Sequence, residues 1–255
     1  MIRGIAFDLF DTLVDQNHDR LAPVEVEGRR IGATTPALHE HVVGELGIGI
    51  PILDFSDRLR SIDRKLRAET IDRGLELATT DRFAVLAESL GCEDVAAAAE
   101  ELTRVHMGVL QEAVTIPAHH EAVLANLAVD HSLALCSNFS HAETARSILR
   151  RARFDVHLHP VVISEEIGIR KPRREIFEAV ASALELVPEE ILHVGDSLRA
   201  DVGGAAALGM KTVWLTRRIR DPEGELAKFD GPRPDFSLED LMDLPVLIAR
   251  LNGPG

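Results

Sequence analysis

The segment GIAFDLFDTLVD, residues 4–15, decides the fold class of this chain. The short apolar run Gly4–Phe7 ends at a carboxylate, Asp8, and Phe10 and Thr12 follow it. A run that is apolar on both faces is typical of a central strand in a parallel sheet covered by helices. In an open α/β sheet, ligands bind beyond the carboxyl ends of the strands, so Asp8 is expected at such a ligand-binding edge.

Three later apolar runs repeat this pattern. LALC stops before Ser137, ILHV stops before Gly195 and Asp196, and KTVWL covers residues 211–215. Helical periodicity separates these predicted strands, so residues 118–255 alternate strand and helix. This alternation predicts an α/β fold with a Rossmann-like, doubly wound parallel sheet.

Three helices of this region have predicted ends. The segment PRREIFEAVASALEL is expected to start a helix at Pro172, because proline is favoured in the first helical turn. A second helix is expected from near Ser197 to a left-handed cap at Gly209. Ser237 and Asp240 resemble a capping box that would open the last helix.

Residues 16–115 have a different character. After VEVEG (24–28), which suits a short hairpin strand, the patterns are helical, and Gly91 marks one expected helix end. The predicted organisation is therefore a core domain made of residues 1–15 plus 116–255, with an all-helical cap domain, 16–115, inserted after the first strand.

Composition excludes several classes of function. The 255 residues are 45% hydrophobic and carry a formal charge of −14, which predicts a globular, soluble protein that does not bind nucleic acid or anionic membranes. The first residues become acidic before a signal-peptide core could form, and apolar stretches fall short of the roughly 18 residues that span a bilayer. Cys92 and Cys136 lack metal-type spacing, which favours a reducing cytoplasm. Oligomeric state is not indicated.

Acidic residues are expected to converge at the carboxyl edge of the sheet. Asp8, Asp196 and Asp201 would repel one another there by roughly 3 kcal/mol per pair at about 5 Å and an effective dielectric of about 20. Lys171 supplies one compensating charge, and a bound Mg²⁺ would supply two more. The residues therefore predict an aspartate nucleophile beside a metal, with Ser137 and Lys171 holding an anionic group.

Four segments, in order, resemble the motifs of the haloacid dehalogenase superfamily of hydrolases whose cap follows the first motif. FDLFDTLVD resembles the first motif, LALCSNFS the second, GIRKP the third and HVGDSLRADVGGAAALGM the fourth. The resemblance implies that Asp8 is the nucleophile, that Ser137 donates to a phosphate oxygen and that Lys171 steadies both nucleophile and substrate. It also implies that Thr12, Phe10 and Asn138, which lies beside Ser137, bind the substrate.

The resemblance also implies a magnesium site. Asp8, the Phe10 backbone carbonyl and Asp196 would ligate the ion, and Asp201 would support it directly or through water. The implied substrate is a small anionic molecule.

Phe10 departs from the phosphatase pattern. Phosphatases of this superfamily usually carry a second aspartate there as the general acid and base, and losing such a group typically costs about 10² to 10⁴ in rate. A magnesium-dependent phosphatase of a small phosphorylated metabolite is the leading prediction. A 2-haloacid dehalogenase is the first alternative, because halide leaves without a proton and dehalogenases carry an aromatic residue there. A catalytically silent binding protein is the second.

Histidines occur in close pairs at 39–41, 119–120 and 157–159. The sequence supplies no evident third ligand for any of them, so exposed polar roles are expected rather than metal binding.

Overall fold

The computed structural model describes residues 1–253, and a six-stranded sheet forms the centre of the larger of its two compact units. The strands are β1 (Gly4–Phe7), β2 (Asp15–Gln16), β3 (Val24–Val26), β4 (Arg29–Ile31), β5 (Val114–Thr115), β6 (Ser132–Ser137), β7 (Val161–Ile163), β8 (Ile191–Gly195), β9 (Lys211–Leu215) and β10 (Phe236–Leu238).

Helices precede and follow most of these strands. They are α1 (Thr35–Gly44), α2 (Ile52–Glu69), α3 (Thr79–Leu90), α4 (Val95–Glu112), α5 (His120–Leu127), α6 (Ala142–Ala152), α7 (Ser164–Ile167), α8 (Arg174–Leu184), α9 (Gly204–Leu208), α10 (Pro222–Lys228) and α11 (Leu244–Asn252).

The sheet has the strand order β10-β9-β8-β1-β6-β7, and neighbouring strands run parallel. Phe7 at the end of β1 pairs in register with Leu135 of β6 and with Val194 of β8. The chain leaves β1 toward β6 and β7 and later returns to β8 on the other side, so the order reverses beside β1. Ligands of open α/β sheets bind at such a reversal. The predicted Rossmann-like α/β fold is confirmed.

The four apolar runs predicted as central strands form β1, β6, β8 and β9, and all their residues except Lys211 are buried. Helix ends agree less well. Helix α8 begins at Arg174 rather than Pro172, because Arg173 is still extended. The segment after Ser197 starts as a π-helical turn, Leu198–Gly203, before α9 continues it.

The predicted capping box at Ser237 is wrong. Ser237 lies within β10 and pairs with Trp214 of β9, so strand pairing holds it away from any helix end. Asp240 does act as a cap, since its carboxylate accepts a hydrogen bond of 2.8 Å from the backbone N–H of Met242. That cap opens a 3₁₀ turn, and α11 follows at Leu244.

The second compact unit is Gln16–Val114, and the first comprises Met1–Asp15 and Thr115–Gly255. Helices α1 to α4 form the second unit around buried apolar side chains such as Phe55, Phe83 and Leu102. It also holds the antiparallel hairpin of β3 and β4 expected from VEVEG, so it is predominantly rather than wholly helical. Within residues 1–253, every helix is too short or too polar to cross a membrane.

Candidate active site

Three polar segments predicted to carry chemistry meet at the carboxyl edge of the sheet. Asp8 follows β1, Ser137 ends β6, and Asp196 follows β8, and these three strands are neighbours. Parallel strands end at the same edge, so one local rule, a strand stopping at a polar residue, brings the three side chains together.

Lys171 lies at the centre of this edge. Its ammonium donates hydrogen bonds of 2.6 Å to Asp8 Oδ1, 2.6 Å to Asp201 Oδ1 and 2.7 Å to the backbone carbonyl of Cys136. Its side chain is only 2% exposed. An ammonium has three protons, so these three acceptors use all of them and fix the position of the charge.

Asn138 holds the Lys171 segment against the end of β6. Its side-chain Nδ2 donates to the Lys171 carbonyl at 2.9 Å, and its Oδ1 accepts from the Lys171 backbone N–H at 2.7 Å. Both ends of its side-chain amide therefore position the backbone of Lys171. Contact of Asn138 with a substrate, which the resemblance implies, stays a prediction.

Asp201 is fixed from three sides. Its Oδ1 accepts from Lys171 and lies 2.9 Å from His193 Nε2, while its Oδ2 accepts from the backbone N–H of Ser197 at 3.0 Å. His193 itself is buried. Because both oxygens of Asp201 already accept hydrogen bonds, Asp201 is better suited to support the site than to ligate a metal directly.

Gly195 makes room for Asp201. A Cβ at Gly195 would lie 2.2 Å from Asp201 Cγ and 2.5 Å from Oδ2, distances at which the carboxylate must move. We expect Gly195→Ala to destabilise the protein by about 1 to 3 kcal/mol, as overpacking does, and to lower activity because Asp201 leaves Lys171.

Gly108→Ala is the matched control, because Gly108 lies inside α4 with open space at its Cβ position and should gain about 0.5 to 1 kcal/mol. Chemical unfolding of both variants measures the difference. Equal stability of the Gly195→Ala variant and the wild type would show that the contact with Asp201 is relieved without cost.

The pKa values of the three acids shift in different directions, because burial and mutual repulsion raise them whereas Lys171 and His193 lower them. Burial raises the pKa of Asp8 to about 6, although Lys171 opposes this. Burial, with the negative charges of Asp8 and Asp201, raises the pKa of Asp196 to about 8. Burial alone would also raise the pKa of Asp201, but Lys171 and His193 outweigh it and lower that pKa. The site therefore holds more negative charge than Lys171 balances, as a cation-binding site would.

Asp196 is the acid best placed to bind such a cation. Oxygen atoms from Asp8, Asp196 and Asp201 lie within 4.8 Å of one another. Among residues 1–253, no side chain or backbone N–H donates a hydrogen bond to the Asp196 carboxylate. Mg²⁺ prefers oxygen ligands such as carboxylates, and the oxygens of Asp196 are not occupied by protein donors. The residues therefore fit this ion.

Two buried hydroxyls complete the edge. Ser137 Oγ and Thr12 Oγ1 are fully buried and have no hydrogen-bond partner among residues 1–253. Buried hydroxyls are normally paired, and an unpaired one costs free energy. Both hydroxyls are therefore available to donate to an anionic ligand.

Phe10 forms an aromatic pair with Phe139 next to the site. The ring centroids are 4.8 Å apart with an interplanar angle of 43°, and both residues are half-buried. The carboxylate next in sequence, Asp11, is buried and pairs with Arg218 at 3.6 Å. Phe10 thus presents an apolar surface where the phosphatase motif has an acid.

A family profile described as haloacid dehalogenase-like hydrolase matches residues 2–209 of this sequence. The chain belongs to the haloacid dehalogenase-like hydrolases. It is therefore a hydrolase, and the resemblance inferred from its four motifs is confirmed.

Curated relatives of this haloacid dehalogenase-like hydrolase include phosphatases. Glyceraldehyde 3-phosphate phosphatase of Methanopyrus kandleri is 41% identical over 102 residues, covering 39% of this chain and 42% of the relative. Phosphoserine phosphatase of Thermus thermophilus is 35% identical over 88 residues, covering 34% of this chain and 33% of the relative. The matched stretches thus span well under half the length of these relatives.

A solved structure of the same fold is the 2-haloacid dehalogenase from Pseudomonas syringae. It matches this haloacid dehalogenase-like hydrolase with a TM-score of 0.75 and 21% identity, covering 98% of this chain and 100% of that one. At this identity the likeness shows the shared fold alone.

Sequence reasoning missed His193 and the positioning role of Asn138. His193 sits three residues before Asp196 in a strand of otherwise apolar residues, and a polar residue inside a buried strand was the available signal. The role of Asn138 depends on a contact with Lys171, 33 residues away, which sequence periodicity does not reveal.

Proposed function

We propose that this hydrolase is a magnesium-dependent phosphatase that removes the phosphoryl group of a small phosphorylated metabolite through Asp8. The observation that carries the proposal is the acid cluster itself. Oxygen atoms of three carboxylates lie within 4.8 Å of one another, but the ammonium of Lys171 pairs with only two of them, Asp8 and Asp201. The third, the Asp196 carboxylate, receives no hydrogen bond from residues 1–253. Displacing a halide from carbon needs no such excess of negative charge.

Asp8, the Phe10 backbone carbonyl and Asp196 would hold the ion, and Asp201 would support it. When bound, Mg²⁺ supplies positive charge that offsets the developing charge on the phosphoryl oxygens. This ion is part of the proposal, together with the small anionic substrate.

Asp8 is proposed to act as the nucleophile. A carboxylate oxygen forms a bond to phosphorus while the bond from phosphorus to the leaving oxygen breaks, which gives an aspartyl phosphate and an alcohol or alkoxide. Water then attacks phosphorus, and inorganic phosphate leaves with Asp8 regenerated. Since Lys171 is fixed by Asp8, Asp201 and the Cys136 carbonyl, its charge needs little reorganisation during the reaction.

Ser137 and Thr12 are proposed to hold the phosphoryl group. Their buried hydroxyls can each donate one hydrogen bond to a phosphoryl oxygen. Such donors position the phosphorus in front of Asp8, and alignment of reacting groups is a major part of phosphoryl-transfer catalysis.

Phe10 restricts the proposed substrates. The Phe10 side chain has no acidic proton with which to protonate the leaving oxygen, so a leaving group that is stable as an anion is favoured.

We also propose that unit Gln16–Val114 serves as the cap domain that selects the substrate. The protein is further proposed to work in a reducing cytoplasm, which suits its two free cysteines.

A 2-haloacid dehalogenase is the second candidate, and Phe10 is the observation that favours it. The aromatic pair of Phe10 and Phe139 would suit a substrate carbon and a halide, which needs no proton on leaving. In that reaction an Asp8 oxygen attacks carbon, halide departs, and water hydrolyses the resulting ester.

Two substrates separate the candidates. We expect p-nitrophenyl phosphate to be hydrolysed in the presence of Mg²⁺, with the activity lost in EDTA and restored by added Mg²⁺. We expect L-2-chloropropionate to release no chloride. Chloride release that is insensitive to EDTA, without phosphatase activity, would replace the first proposal by the second. Inactivity toward both, and toward a panel of phosphorylated metabolites, would favour a binding protein.

A further inference from the structure

A second group of possible metal ligands lies in unit Met1–Asp15 with Thr115–Gly255 and shares no residue with the Asp8 cluster. His119 precedes α5, His120 begins it, and Asp240 caps the turn before α11. One ring nitrogen from each histidine and one carboxylate oxygen of Asp240 lie within 4.8 Å of one another. The proposed hydrolysis uses none of these three side chains.

His120 has a ring nitrogen available for a ligand. The residue is fully buried, and its Nδ1 lies 2.8 Å from the backbone carbonyl of Leu13. A carbonyl oxygen can only accept, so Nδ1 carries the proton and Nε2 keeps its lone pair. Nε2 is buried without a hydrogen-bond partner among residues 1–253, and burial lowers the pKa of His120, which keeps the ring neutral.

This arrangement is the one that metal-binding histidines use. Their second ring N–H commonly donates to a backbone carbonyl or a carboxylate, which fixes the tautomer and the ring orientation. The contact between His120 and Leu13 supplies that donor–acceptor pair. The free Nε2 is therefore prepared to bind a metal, whereas a purely structural histidine would normally have both nitrogens paired.

His119 and Asp240 supply the other two ligands. His119 Nε2 lies 2.7 Å from Asp240 Oδ1, and the rings of His119 and His120 meet edge to face with centroids 4.6 Å apart. Both side chains are about one-third exposed, at 35% for His119 and 30% for Asp240, so an ion can enter from solvent. A metal ion would take the place of the proton between His119 Nε2 and Asp240, and the neutral His119 ring would then carry its proton on Nδ1.

Arg217 is the cation that would oppose a metal here. Its Nε lies 3.9 Å from Asp240 Oδ2. Its terminal nitrogens, however, form a bidentate ion pair with Asp15, which balances the guanidinium charge. Arg217 therefore does not neutralise the negative charge of Asp240, which remains available to bind a divalent ion.

We propose that His119, His120 and Asp240 bind a divalent transition metal of the zinc type. Two imidazoles and one carboxylate are ligands that Zn²⁺ and Co²⁺ accept, whereas Mg²⁺ prefers oxygen atoms alone. The metal links the start of α5 to the turn before α11, and through His120 to the carbonyl of Leu13 in the loop after Asp8. The proposal does not rest on the phosphatase function.

Cobalt binding tests the site directly. The whole chain, stripped of metal by EDTA and desalted, is titrated with Co²⁺ in an excess of Mg²⁺ that occupies oxygen sites. We expect one equivalent of Co²⁺ to bind with the visible absorption of four-coordinate cobalt and to be displaced by Zn²⁺. His119→Gln should weaken binding by at least about 10-fold. Zn²⁺ should raise the unfolding temperature of the wild type and leave that of the His119→Gln variant almost unchanged.

Two control variants keep the result specific. His159→Gln removes an exposed histidine outside the cluster and should bind Co²⁺ like the wild type. Asp196→Asn alters the proposed magnesium site and should keep the cobalt spectrum, whatever it does to phosphatase activity. Absence of cobalt absorption at about 1 mM metal would overturn the site. So would binding that His119→Gln leaves intact, or binding that is lost in the Asp196→Asn variant.

Discussion

Replacing Asp8 with Asn is expected to lower turnover by about 10⁴-fold or more, because a neutral amide is a poor nucleophile toward phosphorus and removing a nucleophile costs effects of this order. The measurement is steady-state hydrolysis of p-nitrophenyl phosphate with saturating Mg²⁺. Asp11→Asn is the matched control. It removes the carboxylate three residues later, which pairs with Arg218, and should retain most of the activity.

The same substitution at Asp8 is expected to leave the fold intact. Burial raises the pKa of Asp8 to about 6, above the ordinary value of 3.8. The side chain is still ionised at neutral pH, but its charge costs the folded protein free energy relative to the unfolded chain. The Asp8→Asn substitution removes that charge, while Lys171 keeps Asp201 and the Cys136 carbonyl as partners. The variant should unfold at a temperature no lower than the wild type. Substantial turnover in a folded Asp8→Asn variant would show that another group attacks the substrate.

Replacing Phe10 with Asp is expected to raise phosphatase activity by about 10² to 10⁴-fold, the usual contribution of a general acid. The gain should be larger for alkyl phosphates than for p-nitrophenyl phosphate, because alkoxides need a proton on leaving and p-nitrophenolate does not. Phe10 is half-buried against Phe139, so the shorter aspartate fits without overpacking. The measurement compares kcat/KM for both substrate types.

Phe10→Asn is the control for this gain. Its side chain has nearly the size of aspartate and equally removes the ring contact with Phe139, but it has no acidic proton to donate. Only the aspartate variant should gain activity. Equal rates for the Asp and Asn variants would show that the ring, rather than a missing acid, limits the wild type. Loss of a native chloride-releasing activity in both would favour the dehalogenase.

Much of the fold and of the site edge could be predicted from local sequence. A parallel strand buried on both faces must be apolar along its length, so GIAF, LALC, ILHV and KTVWL stand out. Because such strands end at a common edge, the positions of Asp8, Ser137 and Asp196 followed from their places after these runs. The charge-balance argument then required a cation near the acids, and Lys171 is that cation.

The rest depends on contacts between distant segments. The amide of Asn138 binds the backbone of Lys171, 33 residues away, and a local pattern does not reveal this contact. Ser237 looked like a helix cap, but pairing with β9 placed it in a strand. His120 was expected to be exposed, yet it is fully buried with its Nδ1 at the Leu13 carbonyl, 107 residues away in sequence. In each case tertiary contacts overrode the local preference.

Trapping the covalent intermediate tests the role of Asp8 most directly. The enzyme is mixed with excess p-nitrophenyl phosphate and Mg²⁺, quenched in acid during turnover, and digested for mass spectrometry. We predict one phosphoryl group on the peptide that contains Asp8, absent from the Asp8→Asn variant and released by base. A phosphoryl group on any other residue, or none during measurable phosphate release under the same quench, would contradict nucleophilic attack by Asp8.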